Sequence, residues 1–210
     1  MNAKTAVGPS GAGVAPRLSA RERLLAAADE LFYANGINTV GIDRVIEHAG
    51  VAKASLYDCF GSKEELIRAY LQGRRVARQA RLNERMSRYE TPEEKILSVF
   101  DVLIEVIAEP SYRGCAFVRA GADANSSESV KRVCQESRGF VLEKFVELAR
   151  EAGAAEPELL ARQLVLLYDG AATAAYMDGN REAAKLARSL AAQMLDAALP
   201  KAKRASKRSR

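Results

Sequence analysis

The sequence lacks most of what a catalytic site requires. His48 is the only histidine in the 210 residues. This histidine is expected at the end of a short helix, and no Ser/His/Asp or Cys/His set can be assembled elsewhere in the chain. The Glu-x-x-His pairs of di-metal helical bundles are absent. No Gly-rich phosphate loop follows a strand. We therefore expect a protein that is not an enzyme and that uses no metal or other cofactor.

Long apolar runs and paired cysteines are also missing. No apolar segment reaches the roughly 18 residues that a membrane span requires. The first residues lack the apolar core of a signal peptide. Cys59, Cys115 and Cys134 are odd in number and widely spaced, which fits neither a disulfide framework nor a zinc site. These absences predict a cytoplasmic protein without a membrane partner.

The net charge of +5 is concentrated at the two ends of the chain. Six basic residues lie in 200–210 and two in 1–18, which leaves a net charge of −3 for residues 19–199. Net charge is therefore weak support for nucleic-acid binding, and that case depends on motifs. The basic tail either adds non-specific DNA affinity or only keeps the protein in solution.

Apolar residues recur at helical spacing throughout, and no alternating strand pattern competes. The sequence predicts an all-α fold of about nine or ten helices, with Ser19 and Glu22 as a capping box at the first helix. We divide the chain into a disordered extension (1–18), a DNA-binding domain (19–78), a larger C-terminal effector-binding and dimerisation domain (79–199) and a basic tail (200–210).

Residues 39 to 65 are the most informative segment. The pattern predicts a short helix opening near Thr39, a turn at Gly50 and a second short helix over about 52–59. A long third helix follows, capped by Ser62 with Glu65 as the reciprocal half of a capping box. This is the layout of a helix-turn-helix, placed at 41–60, whose second helix enters the major groove of DNA.

The first seventy-odd residues resemble the DNA-binding domain of TetR-type transcriptional regulators. The matching positions are Leu24, Ala28, Leu31, Phe32, Gly36, Thr39, Val45, Ala49, Gly50, Val51, Leu56, Tyr57, Phe60 and the run Ser62 to Leu66. From about residue 80 the resemblance is limited to helical layout and length. It implies a homodimer joined through the last two long helices, and an internal pocket whose small effector weakens binding to operator DNA. A repressor is expected, although activation stays open.

The resemblance also implies which residues meet double-stranded DNA. Phosphates would be contacted by the lysines, by the arginine and by the Thr39 hydroxyl. Free backbone N–H groups at the start of the same helix as Thr39 would add to this contact. Tyr57 would contact sugar or phosphate, and small side chains would approach base edges. The assigned residues are Thr39, Arg44, Lys53, Ala54, Ser55, Tyr57 and Lys63. The alternative for each is a solvated surface residue or a helix cap.

An effector pocket would have a mostly apolar lining with a few polar groups, which suits a hydrophobic or aromatic compound. Asn125 is a further possible polar point. Ordinary core packing is the alternative for each candidate. The candidate lining residues are Phe100, Leu103, Ile107, Phe117, Asp123, Tyr168, Tyr176 and Met177.

Cys115 follows Gly114 and lies between Arg113 and Arg119. Positive charge beside a thiol raises its reactivity, so an alternative function is a repressor that senses oxidants or electrophiles through Cys115. A buried, inert cysteine is the other interpretation. A helical interaction protein without DNA binding is a third class.

The last two long helices carry two patterns relevant to dimerisation. After Pro157, the small residues Ala171, Ala172, Ala174 and Ala175 would allow close helix approach, either to a partner or in an ordinary core. The final helix, about 181–199, is rich in alanine and carries Leu186, Leu190, Met194 and Leu195 on one stripe.

Overall fold

The structure is a computed structural model and describes residues 18–123 and 126–199. The expectations for the N-terminal extension, for Asn125 and for the basic tail lie outside the described residues. Within the described part the chain forms nine α-helices and no strand, which confirms the all-α prediction. The helices are α1 (Ala20–Asn35), α2 (Ile42–Ala49), α3 (Lys53–Phe60), α4 (Lys63–Met86), α5 (Pro92–Ala108), α6 (Ala116–Gly121), α7 (Glu128–Glu151), α8 (Pro157–Met177) and α9 (Ala183–Ala198).

Side-chain caps fix where several helices begin. The capping box of Ser19 with Glu22 is present at α1, as the sequence predicts. At α4 the Ser62 hydroxyl accepts from the backbone N–H of Glu65 at 3.1 Å. The Glu65 carboxylate does not complete a box there, because Arg68 holds it at 2.6 Å.

Two hydrophobic cores lie along the long helix α4. The first joins α1, α2 and α3 to the start of α4, and α6 with the first part of α7 closes it. The second joins the end of α4 to α5, α8, α9 and the rest of α7, around Phe100 and Phe145. Because α4 contributes to both cores, it is a rigid connection between them.

Arginines attach α4 to the helices around it. Their carboxylate partners lie on α1, on α7, on α5 and just after α5, so this basic run faces the protein. The ion pairs are Arg74–Asp29, Arg75–Glu136, Arg81–Glu109 and Arg85–Glu105.

The stripe of Leu186, Leu190, Met194 and Leu195 is only partly buried in α9, where Leu195 lies in the core. Leu186 is 62% exposed and Leu190 37%, whereas the buried positions are mainly alanines. The reason is close packing of α9 against α5 and α8, which leaves room only for small side chains. The alanines of α8 have the same role, since Ala171, Ala172 and Ala175 are buried inside this chain. Among the described residues, no helix is both long and apolar enough to cross a membrane.

Candidate nucleic-acid interface and adjoining cavity

The helix before the turn begins later than the sequence predicts. Thr39 lies in the turn that precedes α2, and Gly41 is the N-cap, with φ −74° and ψ 154°. Val40 is completely buried and anchors the end of this turn in the core. The exposed Thr39 hydroxyl therefore does not lie at a helix start, and the N–H groups at the start of α2 follow Gly41.

The turn between α2 and α3 depends on a glycine and on an arginine from α1. Gly50 has φ 61° and ψ 42°, a left-handed conformation that favours glycine. Arg23 donates to the carbonyl oxygens of Ala49 at 3.3 Å and Gly50 at 2.8 Å. Carbonyl groups at a helix end have no partner within the helix, so Arg23 fixes the position of this turn. The sequence analysis did not identify this role of Arg23.

One face of α3 is anchored in the core and the other is open. Leu56 is completely buried, whereas Tyr57 is 48% exposed. Lys53 and Ala54 are also exposed and Ser55 is half-buried. Lys53 and Tyr57 are four residues apart, so they share a face of the helix. A lysine, a tyrosine and small side chains thus lie on one accessible surface.

The cations around this surface differ in their surroundings. Lys53 donates to the Asp43 carboxylate at 2.8 Å, and this hydrogen bond together with the carboxylate charge raises the pKa of Lys53. Both side chains are exposed, and such pairs are weak, so the Lys53–Asp43 pair can open at little cost. Arg44 is exposed on α2. Lys63 is half-buried at the start of α4, and burial lowers the pKa of its ammonium group.

Arg21 is a further cation beside this surface that the sequence analysis missed. It is exposed in the first turn of α1, and its guanidinium lies 5.1 Å from the ring centroid of Phe60, the last residue of α3. A basic residue in the first helical turn was the only available signal. Its position beside α3 required the tertiary fold.

The only histidine lies outside any cluster of metal-binding side chains. His48 is 2.7 Å from the Glu30 carboxylate. In the parts of the chain that the structure describes, no group of three or more His, Cys, Asp or Glu side chains could hold a metal ion.

A cavity of about 800 Å³ lies where α1 and α4 meet the second core. Three predicted residues, Leu103, Phe117 and Tyr168, line it, and so does Cys115. Polar lining that the sequence analysis did not identify comes from α1, α4 and the segment after α5: Asp29, Glu30, Tyr33, Arg74, Arg78, Arg81, Glu109, Ser111, Tyr112 and Arg113.

The other predicted lining residues lie elsewhere. Phe100 and Ile107 are buried in the second core, and the Phe100 ring packs against those of Phe145 and Tyr168. Tyr176 and Met177 are 43% and 70% exposed at the end of α8. Asp123 lines a separate cavity of about 280 Å³ near Thr39.

The wall of the large cavity is bonded directly to α1. The Tyr33 hydroxyl accepts from the backbone N–H of Arg113 at 3.0 Å and donates to the Gly114 carbonyl at 3.1 Å. Arg119 donates to the Tyr33 carbonyl at 2.7 Å and to the Arg113 carbonyl at 3.1 Å. Tyr112 donates to the Ala172 carbonyl at 2.9 Å on the other side. The segment between α5 and α6 therefore connects α8 to the last turns of α1.

Comparison with known proteins gives one consistent result. Residues 24–70 match the family described as bacterial regulatory proteins, tetR family. A TetR-family transcriptional regulator from Streptomyces coelicolor has a similar structure, with a TM-score of 0.81 and 30% identity, covering 85% of this chain and 95% of that one. A TetR transcriptional regulator from Streptomyces avermitilis has a TM-score of 0.76 and 32% identity, covering 86% and 98%.

A curated relative matches over a short part of the chain. The transcriptional activator FasR of Mycolicibacterium smegmatis is 46% identical over 57 residues, which is 27% of this chain. The match spans 26% of the length of FasR. The chain therefore spans only about a quarter of the length of this relative.

Proposed function

The chain belongs to the TetR family of bacterial regulatory proteins, and on that basis we propose that it is a dimeric repressor released from operator DNA by a small effector. The observation that carries the proposal is the open face of α3. Leu56 and the Arg23 clamp hold the helix in place, while Lys53 and Tyr57 stay accessible. In this proposal α3 lies in the major groove, and Ala54 and Ser55 approach base edges.

Backbone phosphates are met by the cations around α3. Lys53, Lys63 and Arg44 are the predicted contacts, and Arg21 joins them because of its place beside Phe60. The Thr39 hydroxyl would reach a phosphate from the turn before α2. Phosphate contacts set position and affinity, whereas base contacts set the sequence preference.

The proposed dimer forms through the outer face of α8 and α9. Both helices already bury an inner face within the chain, and several further apolar side chains remain exposed on their outer face. A single exposed apolar residue would not require a partner, but a group of them favours one. A second copy of the chain, packed as a four-helix bundle, would cover them. The exposed residues are Leu159, Leu166, Tyr176, Met177, Leu186 and Leu190.

Footprinting tests the DNA-binding proposal. DNA flanking the gene is incubated with the full chain, and the protected segment is mapped and assayed again with Tyr57→Ala. We expect two protected half-sites about one helical turn apart or more, lost in the variant. The proposal would be contradicted if no segment of the flanking DNA is protected at protein concentrations at which the chain is dimeric. A reporter fused to the protected promoter separates repression from the activation named for FasR.

A second candidate mechanism uses a thiol in place of a bound effector. Cys115 lines the large cavity and is half-buried, not sealed. Its thiol is therefore open to a small oxidant or electrophile that enters the cavity. A Cys115→Ala variant that keeps the full response to peroxide and to alkylating compounds would rule out this mechanism.

A further inference from the structure

We propose that the effector carries an anionic group, in the simplest case a carboxylate, and that Arg78 binds it inside the large cavity. This inference rests on the proposed function, since it names the chemical class that the regulatory cavity accepts. It changes the expectation from a purely hydrophobic or aromatic compound to one with an apolar body and one negative charge.

The charges of the cavity wall are unevenly matched. Arg74 is bonded to Asp29 through two N–H groups at 2.6 and 2.9 Å. Arg81 is paired with Glu109 at 3.0 Å. These two guanidinium groups therefore already have carboxylate partners within the protein.

Arg78 has no such partner among the residues that the structure describes. Its Nη1 donates to the Ser137 hydroxyl at 3.2 Å, and Tyr168 is a second polar neighbour. Both partners are neutral. Asp169 is a carboxylate whose charge raises the pKa of Arg78, but that carboxylate is bonded to Arg138. A guanidinium carries five N–H donors, so most of those on Arg78 remain for a ligand.

Aromatic rings hold this guanidinium in place. Its central carbon lies 5.8 Å from the ring centroid of Phe117 and 5.4 Å from that of Tyr168. Both rings also line the cavity. A fixed planar group with free donors matches the two oxygens of a carboxylate, and a largely buried charge without a counter-ion favours an anion strongly.

The rest of the cavity describes the remainder of the ligand. Leu82, Val102, Leu103 and Val106 provide an apolar wall. A volume of about 800 Å³ lies within the usual range for sites that enclose small organic molecules. The same wall includes the segment that Tyr33 bonds to α1, so an occupant of the cavity touches the connection to the DNA-binding helices.

Matched acids and amides test the charge requirement. Calorimetry of the full chain with benzoate, 2-naphthoate, hexanoate and decanoate is compared with the corresponding neutral amides. We expect at least one acid to bind about 10- to 100-fold more tightly than its amide, the usual range for a charge-assisted hydrogen bond. Arg78→Met should remove this preference and Arg78→Lys should keep part of it.

The variants are first checked for folding by thermal melting and for binding to the protected DNA. Arg75→Met, which breaks the pair with Glu136 on α7, is the matched control and should keep the preference for acids. Equal binding of acid and amide, a preference that survives in Arg78→Met, or no binding by any acid would overturn the inference. Loss of DNA binding by the wild type would instead overturn the proposed function, and the acid preference would still be measurable.

Discussion

Replacement of Lys53 by glutamine should weaken the dependence of DNA binding on salt. In the proposed dimer, Lys53, Lys63, Arg44 and Arg21 of each subunit meet phosphates, about eight contacts in all. Each neutralised phosphate contributes about −0.9 to the slope of log K against log salt concentration, so the wild type should have a slope of about −7. Lys53→Gln removes two contacts per dimer and should give a slope of about −5.

The structure explains why this lysine is available. Its partner Asp43 is itself exposed, so the pair can open without burying an uncompensated charge. Fluorescence anisotropy of a labelled duplex between about 50 and 200 mM KCl measures the slope, over which range affinities of such complexes change strongly.

Lys144→Gln is the control, because Lys144 forms a similar surface pair with Glu147 at 2.7 Å on α7. It should keep the wild-type slope. A slope near zero for the wild type, or the same slope in Lys53→Gln and the wild type, would refute the proposed position of α3 on the duplex.

Three further predictions concern the cavity and its connection to α1. Burial, with the nearby Cys115 thiol, raises the pKa of Cys134 to about 11. Since only the thiolate reacts, mass spectrometry after iodoacetamide treatment at pH 8 should find Cys115 labelled and Cys134 unmodified. Labelling of Cys134 should rise only as the pH approaches its pKa. Tyr33→Phe removes both hydrogen bonds to the 109–115 segment and should lower the free energy of unfolding by about 1–2 kcal/mol, with faster amide hydrogen exchange in that segment. Gly114 has φ 83°, and an added Cβ would lie 2.9 Å from the Tyr176 ring, so Gly114→Ala should cost about 2–3 kcal/mol in urea unfolding.

Matched variants separate these effects from general damage. Gly61 has φ 75° but nothing within 4 Å of an added Cβ, so Gly61→Ala should cost less than Gly114→Ala, and equal losses would show that the Tyr176 ring is unimportant. Tyr89→Phe, away from the 109–115 segment, should leave hydrogen exchange there unchanged. Labelling of Cys134 as fast as Cys115 at pH 8 in the folded protein would contradict the burial argument.

Local sequence rules were sufficient for the helices and for the turn. The cap at Ser19 and the glycine at position 50 act through neighbours within a few residues, so the chain itself specifies them. The apolar spacing likewise required Leu56 to face inward, which leaves Lys53 and Tyr57 outside. The start of α2 was misplaced because Val40 is held by tertiary burial that no local signal records.

The buried face of α9 and the residues that line the cavity depended on packing between distant segments. The sequence shows a stripe of leucine and methionine on α9. Packing against α5 and α8 decides that four alanines and Leu195 are its buried residues. Likewise, the run of arginines in α4 indicated only positive charge. Which of them have carboxylate partners depends on α1, α5 and α7 lying beside α4.

The amino-acid sequence alone therefore determined an all-helical chain in which one face of α3 is exposed, because periodicity and capping are short-range properties of the backbone and its nearest side chains. Only the tertiary structure decided that Arg78 has no carboxylate partner within 18–123 and 126–199, and that Tyr33 bonds the cavity wall to α1. Both features join residues more than fifty positions apart, and such pairings are set by how the helices pack rather than by any local motif.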